Sequence, residues 1–293
     1  MTNDYPMSWE DAVAWLRAQP DRRQLVRDCF FDDPLLPAAE RYRASTEWSA
    51  VRAFLPPRPG KALDLGSGRG IAAFALARDG WETTALEPDP SALVGAGAIR
   101  ALARQSGVEI GVVEAWGERL PFDDGSFDLV HARQALHHAK DLKALCAEIG
   151  RVLKPGGLCI ASREHVVSSR DDLPAFLASH PLHTLYGGEN AFMLNEYIGA
   201  LSDAGLSIRR VLSPLESDIN LYPDTLADAR KRLTAKLRLA LPEGFLNRLL
   251  AWRGRWSNAP GRLYTFVCTR LPKEERAAEG ASAGRPPVGN GSR

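Results

Sequence analysis

Between residues 61 and 164 short apolar runs alternate with stretches of helical spacing, and this alternation limits the possible folds more than any other feature of the chain. KALDL (61–65), WETTALE (81–87), VEIGVVE (108–114), FDLVHA (127–132) and LCIASRE (158–164) read as buried strands. Helical patterns over 71–78, 91–105 and 141–153 lie between them. Strands joined by helices of that length need right-handed crossovers, and the outcome is a mostly parallel sheet with helices on both faces.

The flanks are different. Residues 8–55 space Trp9, Val13, Leu16, Tyr42, Trp48, Val51, Phe54 and Leu55 as helices do, interrupted by Pro34 and Pro37, so 1–55 reads as a helical lead-in or cap. A Pro-Pro-Arg-Pro-Gly stretch at 56–60 stops it ahead of the first strand. After Ser162 a connection of about 25 residues, long enough for a lid or substrate loop, precedes a helix expected over 190–203. LSIRRVL (206–212) and RLYTFVCTR (262–270) read as two further strands. Between them 224–256 is helical and basic (Arg230, Lys231, Arg232, Lys236, Arg238, Arg248, Arg253, Arg255), with Leu233, Leu237, Phe245, Leu249 and Trp252 expected to pack inward. The expected domain spans 56–270, with cap insertions at 166–188 and 214–258, and the Gly-, Ala- and Pro-rich tail 271–293 is expected to be disordered.

With 37 Lys+Arg against 36 Asp+Glu there is no global field to draw nucleic acid or a membrane surface. Cys29, Cys146, Cys159 and Cys268 are widely spaced with no C-x-x-C, which fits a reduced compartment. The N-terminal residues lack the basic-then-apolar order of a signal peptide, and no apolar run is long enough to span a bilayer, so a cytoplasmic protein without membrane insertion is expected.

The chemistry starts at Asp64-Leu65-Gly66-Ser67-Gly68-Arg69-Gly70, where the first strand hands over to the first helix. Glycines there allow a tight turn and close approach of a ligand to the backbone, and the helix start offers free N–H donors. Glu87 closes the second strand about 20 residues on, where an acid can accept from both hydroxyls of a ribose. Together they select a nucleoside-containing ligand. The third glycine falls one residue early for a dinucleotide turn, and Asp64 two residues before Gly66 suits a ligand with an ammonium group and no pyrophosphate, which counts against a nicotinamide oxidoreductase.

This turn resembles motif I of the class I S-adenosylmethionine-dependent methyltransferases, and the likeness continues in order along the chain. Glu118-Arg119-Leu120-Pro121-Phe122 with Ser126-Phe127-Asp128-Leu129-Val130, then Leu136-His137-His138, then Glu148 to Gly157 (EIGRVLKPGG) are similar to the successive blocks of the methyltransferase type 11 group. The resemblance covers roughly residues 60–165. It implies a Rossmann-like, doubly wound, seven-stranded sheet of order 3-2-1-4-5-7-6 with an antiparallel seventh strand, and S-adenosylmethionine as cofactor, leaving S-adenosylhomocysteine as product.

Carried over residue by residue, the resemblance implies that Asp64, Gly66, Ser67, Gly68 and Gly70 line the methionine part of the cofactor. Glu87, followed by Pro88, would hold the ribose, and Ala132 and Arg133 at the end of the fourth strand would lie beside the methionine. Many relatives bind adenine through an Asp side chain and the next amide, and here those slots hold Trp116 and Gly117, a departure. Trp116 would wall the adenine, with Gly117 or Glu118 supplying the polar contact.

Acceptor ligands in open α/β sheets lie beyond the carboxyl ends of the strands, which puts Arg163-Glu164-His165 close to the acceptor. His165 is the first choice for a general base, with His183 and Glu164 behind it. His137 and His138 are expected to be structural. His180, His183 and Glu189 are conceivable metal ligands, but spacing around Pro181 is a poor ligand signature and no metal is expected. The expected activity is methyl transfer to a small molecule, at O or N in preference to C. Two alternatives stay open: a cofactor-binding but catalytically inactive regulatory or partner protein, suggested by Trp116, and an RNA or protein methyltransferase, suggested by the basic segment.

Overall fold

The computed structural model describes residues 6–272 apart from residue 240, so all of the expected disordered tail but Leu271 and Pro272 lies outside the described residues. Four helices come first: α1 (Trp9–Ala18), α2 (Arg23–Asp28), α3 (Leu35–Arg43) and α4 (Thr46–Arg52). Side-chain oxygens cap two of them, Ser8 accepting from Asp11 N–H and Ser45 from Trp48 N–H. Then follow β1 (Lys61–Leu65), α5 (Ile71–Arg78), β2 (Glu82–Leu86), α6 (Ala96–Ser106), β3 (Ile110–Val113), β4 (Phe127–Arg133), α7 (Leu142–Val152) and β5 (Leu153–Val167). The second half holds α8 (Leu173–Ser179), α9 (His183–Tyr186), β6 (Phe192–Met193), α10 (Leu194–Asp203), β7 (Leu206–Leu212), α11 (Asp218–Leu221), α12 (Leu226–Leu237), α13 (Glu243–Arg255) and β8 (Arg262–Arg270).

The sheet runs β3-β2-β1-β4-β5-β8-β7, with β1 to β5 parallel and β8 antiparallel to both of its neighbours. This is the seven-stranded order expected from the sequence, with one addition: the two-residue β6 pairs with Val166 and Val167 at the far end of β5. β1 sits at the centre, and residues 62–65 are buried because both of its faces are covered. Leu63 and Leu65 join the core formed with α7 and α10, and Ala62 joins the core formed with α3, α4 and α5.

β5 runs from Leu153 to Val167 where the sequence reading gives 158–164, and three other element boundaries differ from that reading for local reasons. The helix expected from 91 starts at Ala96, because Ser91 Oγ accepts from Leu93 and Val94 N–H and holds the preceding residues in a turn. The helix expected from 190 starts at Leu194, after the residues taken up by β6. The basic segment is divided into α12, which ends where Arg238 turns left-handed at φ 53°, and α13, which starts directly after Pro242. The inward face of that segment is also corrected: Ala229, Leu233, Leu246 and Leu250 are buried, whereas Leu237, Phe245 and Trp252 are exposed. Several of its arginines are paired, Arg230 with Glu243 and Arg232 with Asp224.

α1 and the 182–186 stretch pack together over the strand ends, with Trp9 against Tyr186 at 4.6 Å and Met7 N–H bonded to Leu185 O. Among the described residues no helix is long and apolar enough to cross a membrane.

Candidate active site

The turn between β1 and α5 places Gly66, Gly68 and Gly70 at φ of 67°, 51° and 83°, the left-handed region that glycine enters without strain. A Cβ on Gly66 would stand 2.7 Å from Ala135 Cβ, so the turn and the segment after β4 approach as closely as glycine allows. Gly66 and Ser67 N–H both bond to Leu86 O, which ties the turn to the end of β2. At its base Asp64 is buried and accepts from Ser67 Oγ at 2.5 Å, with its other oxygen 2.9 Å from His131 Nδ1 on β4. Arg69 faces away from this pocket, with its guanidinium on Phe30 O, Asp32 O and Asp33 of the N-terminal helical segment.

Glu87 immediately follows β2. Its Oε2 accepts from Gly68 N–H at 2.7 Å and its Oε1 from Asp89 N–H at 3.0 Å. An ionised carboxylate has about four acceptor positions, so both oxygens keep capacity for further donors. Burial pushes its carboxyl up to about 7, against the pull of these two N–H groups. Pro88 follows in a bend. Trp116 is 64% exposed with Lys140 Nζ 5.2 Å from its ring centroid, and Glu118 accepts from Lys140 N–H. Gly117 lies against Leu145 and Leu65, where a Cβ would clash.

Ala132 is buried near the end of β4. The Arg133 side chain takes a different course from the one the sequence suggested. It donates to both oxygens of Glu47 on α4, at 2.6 and 3.0 Å, and lies over the Phe30 and Tyr42 rings. Arg163 brings a second guanidinium to 3.9 Å from Glu47. Burial opposes ionisation of the fully buried Glu47, but the two guanidinium charges outweigh it and hold its carboxyl below the usual range. The Arg133 guanidinium is thus committed to the N-terminal helices.

Glu164 is also fully buried, on β5. Its carboxylate accepts the backbone N–H groups of Ala135, Leu136 and His137 at 3.1, 3.2 and 3.0 Å, and the His137 ring Nδ1–H at 2.8 Å. Burial would raise this carboxyl, but the His137 ring and the backbone donors outweigh it and keep it ionised below its ordinary range. That corrects the expectation of Glu164 as a base: its acceptor capacity is spent on fixing the turn after β4.

The other face of His137 looks at Glu189, with Nε2 and Oε2 3.6 Å apart. Burial lowers its basicity, yet the two carboxylates prevail and push it up to about 9. His165 stands edge-on to His137 at 4.7 Å between ring centroids and donates Nδ1–H to Gly261 O at 2.8 Å. Burial, with the His137 charge beside it, pushes His165 down to about 3. Glu189 also receives the Tyr186 hydroxyl and has His180 Nε2 at 3.7 Å. His183 is buried at the start of α9, and His180, three residues earlier, has its Nε2 3.7 Å from Glu189.

The structure thus brings His165 together with His137, Glu189 and His180, and Glu87 with the glycine turn. Sequence reasoning missed Glu47, His131 and the part played by His137. Glu47 lies 86 positions from Arg133 on an otherwise ordinary helix, so no local pattern could flag it.

A central parallel sheet closed by an antiparallel β8, with a three-glycine turn after β1 touching an acid after β2, defines a class I methyltransferase fold. The family model described as "Methyltransferase domain" matches residues 63–161, and the chain carries that domain, of the S-adenosylmethionine-dependent class. An uncharacterized methyltransferase of Mycobacterium sp. (strain JLS) is 35% identical over 131 residues, covering 45% of this chain and 46% of the relative. The chain therefore spans about half the length of such curated relatives. The dimethylglycine N-methyltransferase of Parasynechococcus marenigrum is 29% identical over 202 residues, 68% of this chain and 70% of the relative. The geranyl diphosphate C-methyltransferase of Streptomyces coelicolor A3(2), solved with Mg2+, geranyl diphosphate and S-adenosyl-L-homocysteine, shares the fold with a TM-score of 0.55 and 17% identity, over 91% of this chain and 90% of that one.

S-adenosylmethionine is the cofactor of this domain. The residues present fit it: a glycine turn whose Gly68 leaves a Cβ no neighbour closer than 4.0 Å, and a Glu87 carboxylate with acceptor capacity left over.

Proposed function

We propose that the chain transfers the methyl group of S-adenosylmethionine to a small-molecule acceptor, at oxygen or nitrogen in preference to carbon. The observation that carries this reading is the bond from Gly68 N–H to Glu87, which makes the glycine turn and the ribose-binding acid one unit. Asp64, Gly66, Ser67, Gly68 and Gly70 would hold the methionine part, together with Ala132 and the backbone of Arg133. Glu87, beside Pro88, would take the ribose hydroxyls, and Trp116, Gly117 and Glu118 would wall the adenine.

Bound there, the sulfonium supplies an electrophilic methyl carbon. What the chain itself contributes is positioning and exclusion of water. The segments 1–55, 166–188 and 214–258 would shape the acceptor pocket over the strand ends. His165 is too weak a base to deprotonate an alcohol, but its Nε2 lone pair can accept a hydrogen bond from the acceptor's O–H or N–H. An amine that sheds its proton to solvent before reaction needs nothing stronger, and the likeness to a dimethylglycine N-methyltransferase supports a nitrogen acceptor.

Calorimetric titration with S-adenosylmethionine and S-adenosylhomocysteine, repeated on Glu87→Ala and Asp64→Ala, tests the cofactor site. Binding that both substitutions weaken at least tenfold is expected, and equal binding by all three proteins would sink the assignment. Isotopically labelled methyl should then appear in a small-molecule fraction of cell extract. Label only in RNA or protein, or no transfer across a broad acceptor panel, would give the place to the macromolecular or inactive-partner alternatives.

A further inference from the structure

One ring nitrogen of His137, one of His165 and a carboxylate oxygen of Glu189 lie within 4.8 Å of one another, the one such group of metal-ligand types among the described residues. We propose that these three side chains form a binding site for a divalent first-row transition-metal ion at the carboxyl end of the sheet.

The argument rests on what fixes each ligand. His137 gives its Nδ1–H to Glu164, and His165 gives its Nδ1–H to Gly261 O, both at 2.8 Å, so His165 has Nε2 left for coordination, and His137 offers its Nε2 once the incoming ion displaces the proton there. Glu189 receives the Tyr186 hydroxyl on Oε1 and turns Oε2 toward His137. Every ligand is therefore oriented through its other atom, the outer-shell arrangement that metal-binding histidines and carboxylates show. Three separate parts of the chain supply the residues: the turn after β4, the strand β5 and the connection leading to β6.

Ligand atoms around a tetrahedral ion at ~2.1 Å stand ~3.4 Å apart. The His137 to Glu189 pair is already at 3.6 Å, and with all three ligand atoms within 4.8 Å of one another, closing the set needs a contraction of about 1.4 Å at most among the rest. Two imidazoles and one carboxylate select zinc, cobalt(II) or iron(II) over magnesium or calcium, which prefer all-oxygen sets. Three protein ligands leave a position open, and His180, whose Nε2 is 3.7 Å from Glu189, borders it. An acceptor bearing a coordinating oxygen or amine could fill that position, and His165 would then act through the ion instead of accepting from the acceptor directly. The site itself does not depend on methyl transfer.

The test is titration of chelator-stripped full chain with zinc chloride and cobalt(II) chloride, without cofactor. One equivalent is expected to bind, to raise the melting temperature, and to give a cobalt visible spectrum of low-symmetry coordination. Glu189→Gln and His165→Gln should each weaken binding by tenfold or more while still binding S-adenosylhomocysteine, which separates loss of the ion from loss of the fold or of the cofactor site. No stoichiometric binding by the wild type, or equal binding by both variants, would overturn the proposal. Should a variant not fold, zinc-edge X-ray absorption of the loaded wild type decides: two imidazoles with oxygen ligands support the site, and any thiolate or single-imidazole set overturns it.

Discussion

Arg133 at the end of β4 and Glu47 on α4 form a two-point ion pair, 2.6 and 3.0 Å, in which the carboxylate is fully buried. The bond fastens the N-terminal helices to the strand that carries the turn at 135–137. Removing one partner of such a pair strands the other in a medium of low polarizability. Glu47→Ala is therefore expected to destabilise the fold by about 3–5 kcal/mol, while replacement of both groups by apolar residues costs less. Urea melts of the single and double variants check this, and a loss under about 1 kcal/mol for Glu47→Ala would contradict it.

Glu87 should make cofactor affinity pH-dependent. Its carboxyl sits at about 7 because of burial, and the ribose hydroxyls proposed to bind there would donate to the ionised form. Binding is expected to strengthen by up to about tenfold per pH unit as pH rises toward 7, to level off above it, and to release a proton below it. Glu87→Gln should bind weakly at every pH. Calorimetry in buffers of different ionisation enthalpy measures the proton directly, and a flat profile from pH 5.5 to 8 would refute the role. In the absence of ligand the sign is opposite: a carboxyl raised on folding contributes stability fully present below its ordinary value of 4.5, lost as pH rises through about 7.

His137 lies between two carboxylates and is raised from 6.5 to about 9 on folding. Its contribution is fully present below pH 6.5 and is lost as pH climbs through about 9. At pH 6, His137→Ala should cost about 3–5 kcal/mol, since it leaves Glu164 and Glu189 buried without their shared cation. At pH 10 the difference from wild type should shrink. Paired denaturation curves at the two pH values would show it, and a pH-independent difference would argue that packing alone is at stake.

Gly66→Ala combines a φ of 67° with a Cβ 2.7 Å from Ala135, whose N–H is held by Glu164. The neighbour cannot easily retreat. A stability loss of about 1–3 kcal/mol is expected, with weakened S-adenosylhomocysteine binding. Gly156→Ala, also at positive φ but with nothing within 4 Å, should show the backbone strain without the clash and leave ligand binding intact.

The strands and their order were legible because each is a short apolar run bounded by turn residues, and because Asp64 to Gly70, Glu87 and the EIGRVLKPGG block recur in a known sequence of motifs. That block also has a mechanical reading: Arg151 bonds Glu148, Leu120 O and Phe122 O, and so clamps the loop ahead of β4. The start of α6 was misplaced because a serine turn competes with helix over the same residues. What could not be read were bonds between distant positions. Glu164 looked like a reactive acid because it follows a strand end, and its four donors arrive from residues 27 to 29 positions away. Glu189 appeared as one polar residue among many in a long connection, and only the folded chain sets it against His137 and His165.

β8, the last described strand, inserts between β5 and β7 and is antiparallel to both. During synthesis the parallel half, β1 to β5, is complete more than ninety residues before β8 emerges. Until then β5 and β7 each present an unpaired edge, with no strand to join them. The cofactor half can therefore assemble on the ribosome ahead of the rest, while β7 waits for residues 262–270 to be delivered into the gap. Nascent chains stopped before residue 262 would hold the glycine turn and Glu87 yet expose two sticky edges, a state in which premature release favours aggregation over folding.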